Sequence, residues 1–316
     1  MTGALRELMA GLVDYAGLFP PASLDMAVAA RNYATYRAGP HRWMLGKFIL
    51  PAGRLDQLAE VLPAQAIPGD PWPLSLLVGG GDPADITVTL ADQIRTLGRF
   101  LARFPDQASV KGLEAPLPAG LDQTALRDYL GAFTTALAAG GPTGACVYLE
   151  LPAAGDDDPG YLEALAAFRD GTGFPGPLGA KLRMGGVAPE AFPSVERVAA
   201  IQHAAARLGL PVKYTAGLHH PVRHEAQDPP VMMYGFLNVF VGGLLAAHAQ
   251  ASRETLAAVL SETDGTRFHC GAADLGWAEH RVPLAAVTTQ RETALPGFGS
   301  CSFTEPLDDL AALNLL

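Results

Sequence analysis

Lys181 and Arg183 stand two apart in the stretch GAKLRM (179–184), alternating with the apolar Leu182 and Met184. Residues two apart in a strand point to the same side, so an apolar strand here aims two cations one way. Other short apolar runs also end in reactive groups: SVKGLE in Glu114, ACVYLE in Glu150, and PVKYT in Lys213 and Thr215. Charges left unpaired in a core are expensive, so these side chains must meet each other, water or a ligand. A lysine set among carboxylates can form an imine with a carbonyl compound or hold the charge of an enolate. Glu114 and Glu150 would move protons, and Arg183 would grip a carboxylate or phosphate through its forked donors. The competing reading is an ion-pair layer that only fills space, since charged clusters mark sites no more than statistically.

A second group follows Lys213 in AGLHHPVRHE (216–225), with His219, His220, His224 and Glu225; His248 and His269 come from elsewhere in the chain. One reading is acid–base work by His219 or His220 beside a carbonyl. Another is a divalent metal held by His220, His224 and Glu150. HExxH and HxH are absent, Pro221 interrupts any helical relation between His220 and His224, and nearby cations would repel a dication. The expectation is therefore no metal and no cofactor, with the divalent metal as the alternative.

The elements that would position these groups recur at intervals of about 30–35 residues, one strand plus one crossover helix. The apolar runs are WMLGKFIL (43–50), LSLLV (74–78), SVKGLE (109–114), ACVYLE (145–150), GAKLRM (179–184) and PVKYT (211–215), with further strands expected in LVDYAGLF (12–19) and RFHCG (267–271). Between them lie helical patterns such as RLDQLAEVL, ADQIRTLGRFLARF and SVERVAAIQHAAARLG. Asp82 and Pro83 read as the start of one helix; Gly140–Gly141, Gly171 and Gly209 read as helix ends. Eight βα units without GxGxxG or a P-loop predict a single-domain α/β fold over 1–316, a (β/α)8 barrel, with an extra apolar helical segment near 231–262. In that fold chemistry gathers at the C-terminal ends of the strands. If the aliphatic positions face the helices, then Glu150, Lys181, Arg183 and Lys213 face the barrel axis. Lys47 in the second strand lines the barrel with them in one of its two facings, and Asp14 and Tyr15 would sit at the mouth of the first strand.

The order of these motifs resembles class I aldolases of the deoxyribose-phosphate aldolase type. VYLELP, GAKLRMGG and PVKYTAGLHHPVR repeat that family's sequence of a carboxylate, a lysine, and a second lysine before a Gly-containing turn. The resemblance covers about residues 145–220. It implies that Lys181 is the Schiff-base lysine, that Lys213 is the neighbouring cation which lowers its pKa, and that Glu114 or Glu150 shuttles protons. It also implies a phosphate cradle in FGSCSF (298–303), with Ser300, Ser302 and the backbone of a helix start holding the anion. The residues alone allow an ordinary capped turn there, with Ser302 and Glu305 as a capping box. The chain departs from that family at Arg183, where the family has a small polar residue. The LHHPVRHE loop and the 231–262 segment have no counterpart there.

Composition limits the partners. The chain has 316 residues, 49% hydrophobic and 17% charged, enough for a large core. A net charge of −10 argues against nucleic acid and anionic membranes, which call for a basic face. Cys146, Cys270 and Cys301 form no CxxC pair and suit a reducing cytoplasm. VMMYGFLNVFVGGLLAAHA (231–249) carries no Lys, Arg, Asp or Glu, yet its glycines and the strands around it read as a buried helix, not a membrane span. The expected partner is a small anionic, carbonyl-bearing metabolite, and a homo-oligomer is compatible with the sequence. Three functions compete: an aldolase-like lyase acting through a lysine imine or a Lys/Arg-stabilised enolate, a metal-dependent lyase or isomerase using the histidine loop, and a non-catalytic metabolite-binding or scaffold protein. Borohydride trapping, elemental analysis, and binding without turnover separate them.

Overall fold

The structure, a computed structural model, describes residues 3–80, 86–142, 144–153, 155, 157–172, 174, 176–227 and 230–316. The helix start expected at Asp82 and Pro83 lies outside the described residues. Seven parallel strands form where the apolar runs predict them: β1 (Val13–Tyr15), β2 (Leu45–Pro51), β3 (Trp72–Leu77), β4 (Ala108–Pro116), β5 (Cys146–Glu150), β6 (Leu178–Arg183) and β7 (Val212–Thr215). Helices with one apolar stripe follow most of them, such as Leu55–Gln65, Gln123–Ala138 and Val195–Leu208. Ser194 caps the last of these by accepting the Arg197 N–H, and Gly209 ends it in the left-handed region at φ 60°.

The eighth barrel strand is not the expected one. After β7 the chain makes the antiparallel hairpin β8 (His224–Gln227) and β9 (Pro230–Met233), then helices Phe236–Ala249 and Arg253–Ser261. Residues 267–271 do form a strand, β10 (Phe268–Cys270). It pairs antiparallel with β11 (Asp274–Trp277), which pairs with β12 (His280–Pro283) in a separate three-stranded sheet. The helix Leu284–Thr293 then leads to β13 (Phe298–Ser300), which pairs parallel with β7. The closed barrel runs β1-β13-β7-β6-β5-β4-β3-β2. FGSCSF therefore begins as a barrel strand before it turns into the last helix, Thr304–Ala312.

Contacts within the chain fall into two compact units, Tyr15–Arg42 with Lys47–Lys181, and Met1–Asp14 with Trp43–Gly46 and Leu182–Leu316. In the first, Phe48 and Trp72 turn toward the helix Met26–Ala38, where Tyr33 meets them with ring centroids 5.2 and 4.8 Å away. In the second, the apolar helix Phe236–Ala249 lays Phe236 and Phe240 against Phe298, each pair 5.8 Å apart. A Cβ at Gly243 would come within 2.6 Å of Leu295, so glycine permits that close approach. The expected segment thus splits: 230–233 is a strand and the helix begins at Phe236. Its 14 residues span about 21 Å, and no helix among the described residues is long and apolar enough to cross a membrane.

Candidate active site

Strand register decides which side chains share a face. Partners in a parallel pair point the same way, and residues two apart along a strand do too. Ile49 is level with Ser75, Ser75 with Gly112, Glu114 with Tyr148, and Glu150 with Lys181. These residues share one face of β2–β6, opposite to Phe48 and Leu74, which are level with each other and buried. Lys47, two before Ile49, belongs to the same face as Lys181, and its half-exposed side chain sits at the start of β2. The register of β3 against β4 shifts between Leu74 and Ser75, and Lys111, the residue passed over, is exposed.

On that face Lys181 Nζ stands 2.8 Å from Glu114 Oε2 and 2.8 Å from Glu150 Oε2. Ser75 Oγ donates to Glu114 Oε1 at 2.5 Å. The side chains of Lys181 and Glu114 are 5% and 1% exposed, whereas Glu150 is 20% exposed. Two carboxylates thus flank one ammonium, and Glu150 is the member open to water. Of the four residues expected to converge, Glu150 and Lys181 meet directly, and Glu114 joins them through Lys181.

Lys213 occupies a different setting. Its Nζ lies 2.6 Å from Asp14 Oδ2 on β1, and both side chains are fully buried. Tyr214, the next residue, turns the other way and accepts a hydrogen bond from Gln202 Nε2 of the helix Val195–Leu208 at 3.1 Å. A Cβ at Gly46 would collide with Asp14 Oδ1, so a glycine there makes room for the carboxylate. Thr215 is half-buried at the end of β7, level with Gly299 of β13. Arg183, two residues beyond Lys181 along β6, is exposed.

The histidine loop is tied to the last helix. His219 Nδ1 is 2.7 Å from Glu305 Oε2, and His220 Nδ1 bonds Asp309 Oδ2. The His220 and His224 rings meet edge to face with centroids 4.3 Å apart. Burial holds the His224 pKa below the ordinary histidine value, and the nearby His220 adds to that. His224 Nδ1 lies 3.1 Å from the Val222 carbonyl. Among the described residues no group of three or more His, Cys, Asp or Glu side chains is placed to hold a metal ion. His269 pairs with Asp274 within the small sheet, at 2.7 Å.

The serines at the end of β13 do capping work. Ser300 Oγ accepts the Ser302 N–H at 3.3 Å, and Ser302 Oγ accepts the Glu305 N–H at 3.2 Å. The reciprocal half of the capping box is replaced, because the Glu305 carboxylate goes to His219. A carboxylate in the first turn already meets the positive end of this helix.

Two members of these clusters were not singled out by sequence reasoning. Ser75 is the one polar side chain in WPLSLL, and that lone hydroxyl in an apolar strand is the signal that points to it. Asp14 was placed only at a strand mouth, and its lysine partner lies about 200 positions away in the chain. A further signal is in the composition itself. The chain has four lysines, Lys47, Lys111, Lys181 and Lys213, against 18 arginines, and all four lie in barrel strands. Of these, Lys181 and Lys213 are buried, and a lysine kept off the surface is being used for something other than solubility.

No family model and no curated protein matches the chain. Among solved structures it is similar to one described as "Crystal structure of a putative lyase/mutase from Burkholderia cenocepacia J2315", with 17% identity and a TM-score of 0.40, over 81% of this chain and 77% of that one. Similarity at that level carries no argument about activity, so the reading of the site rests on its own geometry.

Proposed function

We propose that the barrel is an enzyme of the class I aldolase kind, acting on a small anionic carbonyl compound through Lys181. The observation that carries this reading is the placement of Lys181 Nζ 2.8 Å from both Glu114 and Glu150 at the C-terminal end of β6, the end where barrel enzymes do their chemistry. The ammonium first passes a proton to Glu150. The freed lone pair then attacks the substrate carbonyl carbon while the C=O π pair moves to oxygen, which takes that proton back from Glu150. The carbinolamine nitrogen, still protonated, gives its second proton through Glu150 to the new hydroxyl; water leaves, and the nitrogen lone pair closes the iminium. Glu150 takes the proton of the substrate's β-hydroxyl, the O–H pair becomes the C=O of the departing product, and the C–C bond between them breaks with its electron pair passing into the iminium to leave an enamine. Reprotonation of the enamine and hydrolysis with one water return the free lysine.

Lys181 fits this role better than Lys213. Lys213 pairs with Asp14 where neither side chain is exposed, whereas the Lys181 group includes the part-exposed Glu150. Arg183, exposed and two residues on, would take the anionic group of the substrate. The same groups would serve an enolate route without an imine, with Lys181 as the charge that stabilises it. The chemistry calls for no metal. The alternative ligand set of His220, His224 and Glu150 gains no support from the histidine loop, where His220 is engaged by Asp309 and His224 leans on a carbonyl.

The test is turnover of a panel of 2-keto acids, hydroxy-keto acids and phosphorylated ketoses in the cleavage direction, with Lys181→Met as control. Cleavage by the natural chain that drops at least 10³-fold in Lys181→Met supports the proposal. Ligand binding with no turnover would favour the scaffold reading and overturn it.

A further inference from the structure

We infer that Ser75 is a positioning residue that fixes Glu114 as the standing counter-charge of Lys181 and leaves Glu150 as the carboxylate that exchanges the proton. The inference rests on the reading of Lys181 as the reactive amine. Ser75 is fully buried in a strand that is otherwise apolar, and a buried hydroxyl without a partner is costly. Its partner is charged: the 2.5 Å contact to Glu114 Oε1 is at the short end for a hydroxyl bonding a carboxylate. The neighbouring strand is shaped around it. A Cβ at Gly112, level with Ser75, would stand 2.7 Å from Ser75 Oγ and 3.5 Å from Ser75 Cβ. Glycine at 112 leaves the hydroxyl the space from which it reaches Glu114.

Glu114 is therefore held at both oxygens, Oε1 by Ser75 and Oε2 by Lys181. The hydroxyl donates to the anion and so favours it over the acid, which makes Glu114 a poor place for the proton that Lys181 must release. Glu150 has the same 2.8 Å contact to Nζ and is 20% exposed, so it can receive that proton and hand it to water. Two carboxylates at equal distance are given unequal work by one serine and one glycine.

Glutamate labelled with ¹³C at Cδ reports each carboxyl, and Glu114→Gln identifies the signal that belongs to Glu114. In Ser75→Ala the Glu114 anion loses a donor and takes a proton more readily, so its titration midpoint rises by about one pH unit, a tenfold change for one hydrogen bond to a charged group. Ser75→Thr keeps the hydroxyl and keeps the midpoint of the natural chain. An unchanged Glu114 midpoint in Ser75→Ala, or an equal rise in Ser75→Thr, overturns the inference. The readout needs no substrate, so a failure of the imine reading would show separately, as absence of turnover with the titration difference intact.

Discussion

Replacing Lys213 by Met removes the cation from a pair in which neither side chain touches solvent. Asp14 would remain with its carboxylate among packed strands and the backbone that Gly46 admits, and no rotation brings a fully buried group to water. Breaking a buried pair from one side costs about 3–5 kcal/mol, because the remaining charge is desolvated and unmatched. That is a large share of the ~5–15 kcal/mol by which a domain is stable, so Lys213→Met should lose roughly a fifth or more of its stability in urea unfolding at pH 7. The sign with pH follows from linkage. Without the Lys213 charge the folded chain holds the Asp14 anion less well and binds a proton there more readily than the natural chain does. The deficit is therefore smallest at low pH and grows as pH rises. Adding Asp14→Asn removes the stranded charge and should recover about 2 kcal/mol. A loss under about 1 kcal/mol in Lys213→Met, flat from pH 4 to 8 and unrelieved by Asp14→Asn, would refute the view of this pair as a sealed structural ion pair.

Three further outcomes are expected. Arg183→Ala should unfold within about 0.5 kcal/mol of the natural chain, as exposed substitutions do, while raising KM for carboxylate-bearing substrates about tenfold or more with little change in kcat; an unchanged KM would remove Arg183 from the site. His224 has a folded pKa below its ordinary value because it is buried, so the unfolded chain binds the proton first and stability is lost as pH falls below about 6.5. His224→Gln should flatten the Tm profile between pH 7 and 5, and a profile of unchanged slope would contradict that cause. Burial pushes the Tyr129 phenol to about 12 and its hydroxyl donates to the Pro116 carbonyl at 2.6 Å. Tyr129→Phe should therefore cost about 1 kcal/mol and remove one tyrosine from the slow, high-pH limb of a spectrophotometric titration; loss of a tyrosine titrating near 10 would be the contrary result.

Seven barrel strands were legible because each buries an aliphatic alternation long enough to read, as Val147 and Leu149 do in ACVYLE. The eighth was not. Phe298–Ser300 is three residues, too short to display a period, while RFHCG looks as strand-like and does form a strand, in another sheet. Between β7 and β13 the chain inserts two small antiparallel sheets, which breaks the 30–35-residue spacing on which the count relied. At the site, the parity argument placed Lys181 and Glu150 on one face correctly, because register in a parallel sheet follows from alternation. It could not reveal partners that depend on chain-distant contacts. Glu305 and Asp309 approach the histidines from 86 and 89 residues away, and the capping serines looked like an anion cradle because a helix start offers the same donors to a hydroxyl as to a phosphate. Lys47 was ambiguous until the level pairing of Ile49 with Ser75 fixed its face.

The most direct test of the account is borohydride reduction in the presence of glycolaldehyde, pyruvate or another small carbonyl compound, followed by peptide mapping. With four lysines in the chain, the modified position is read without ambiguity. The account predicts one stable adduct, on Lys181, lost in Lys181→Met and retained in Arg183→Ala. An adduct on Lys213 or Lys111 in place of Lys181, or no adduct under conditions where the protein turns its substrate over, would contradict it.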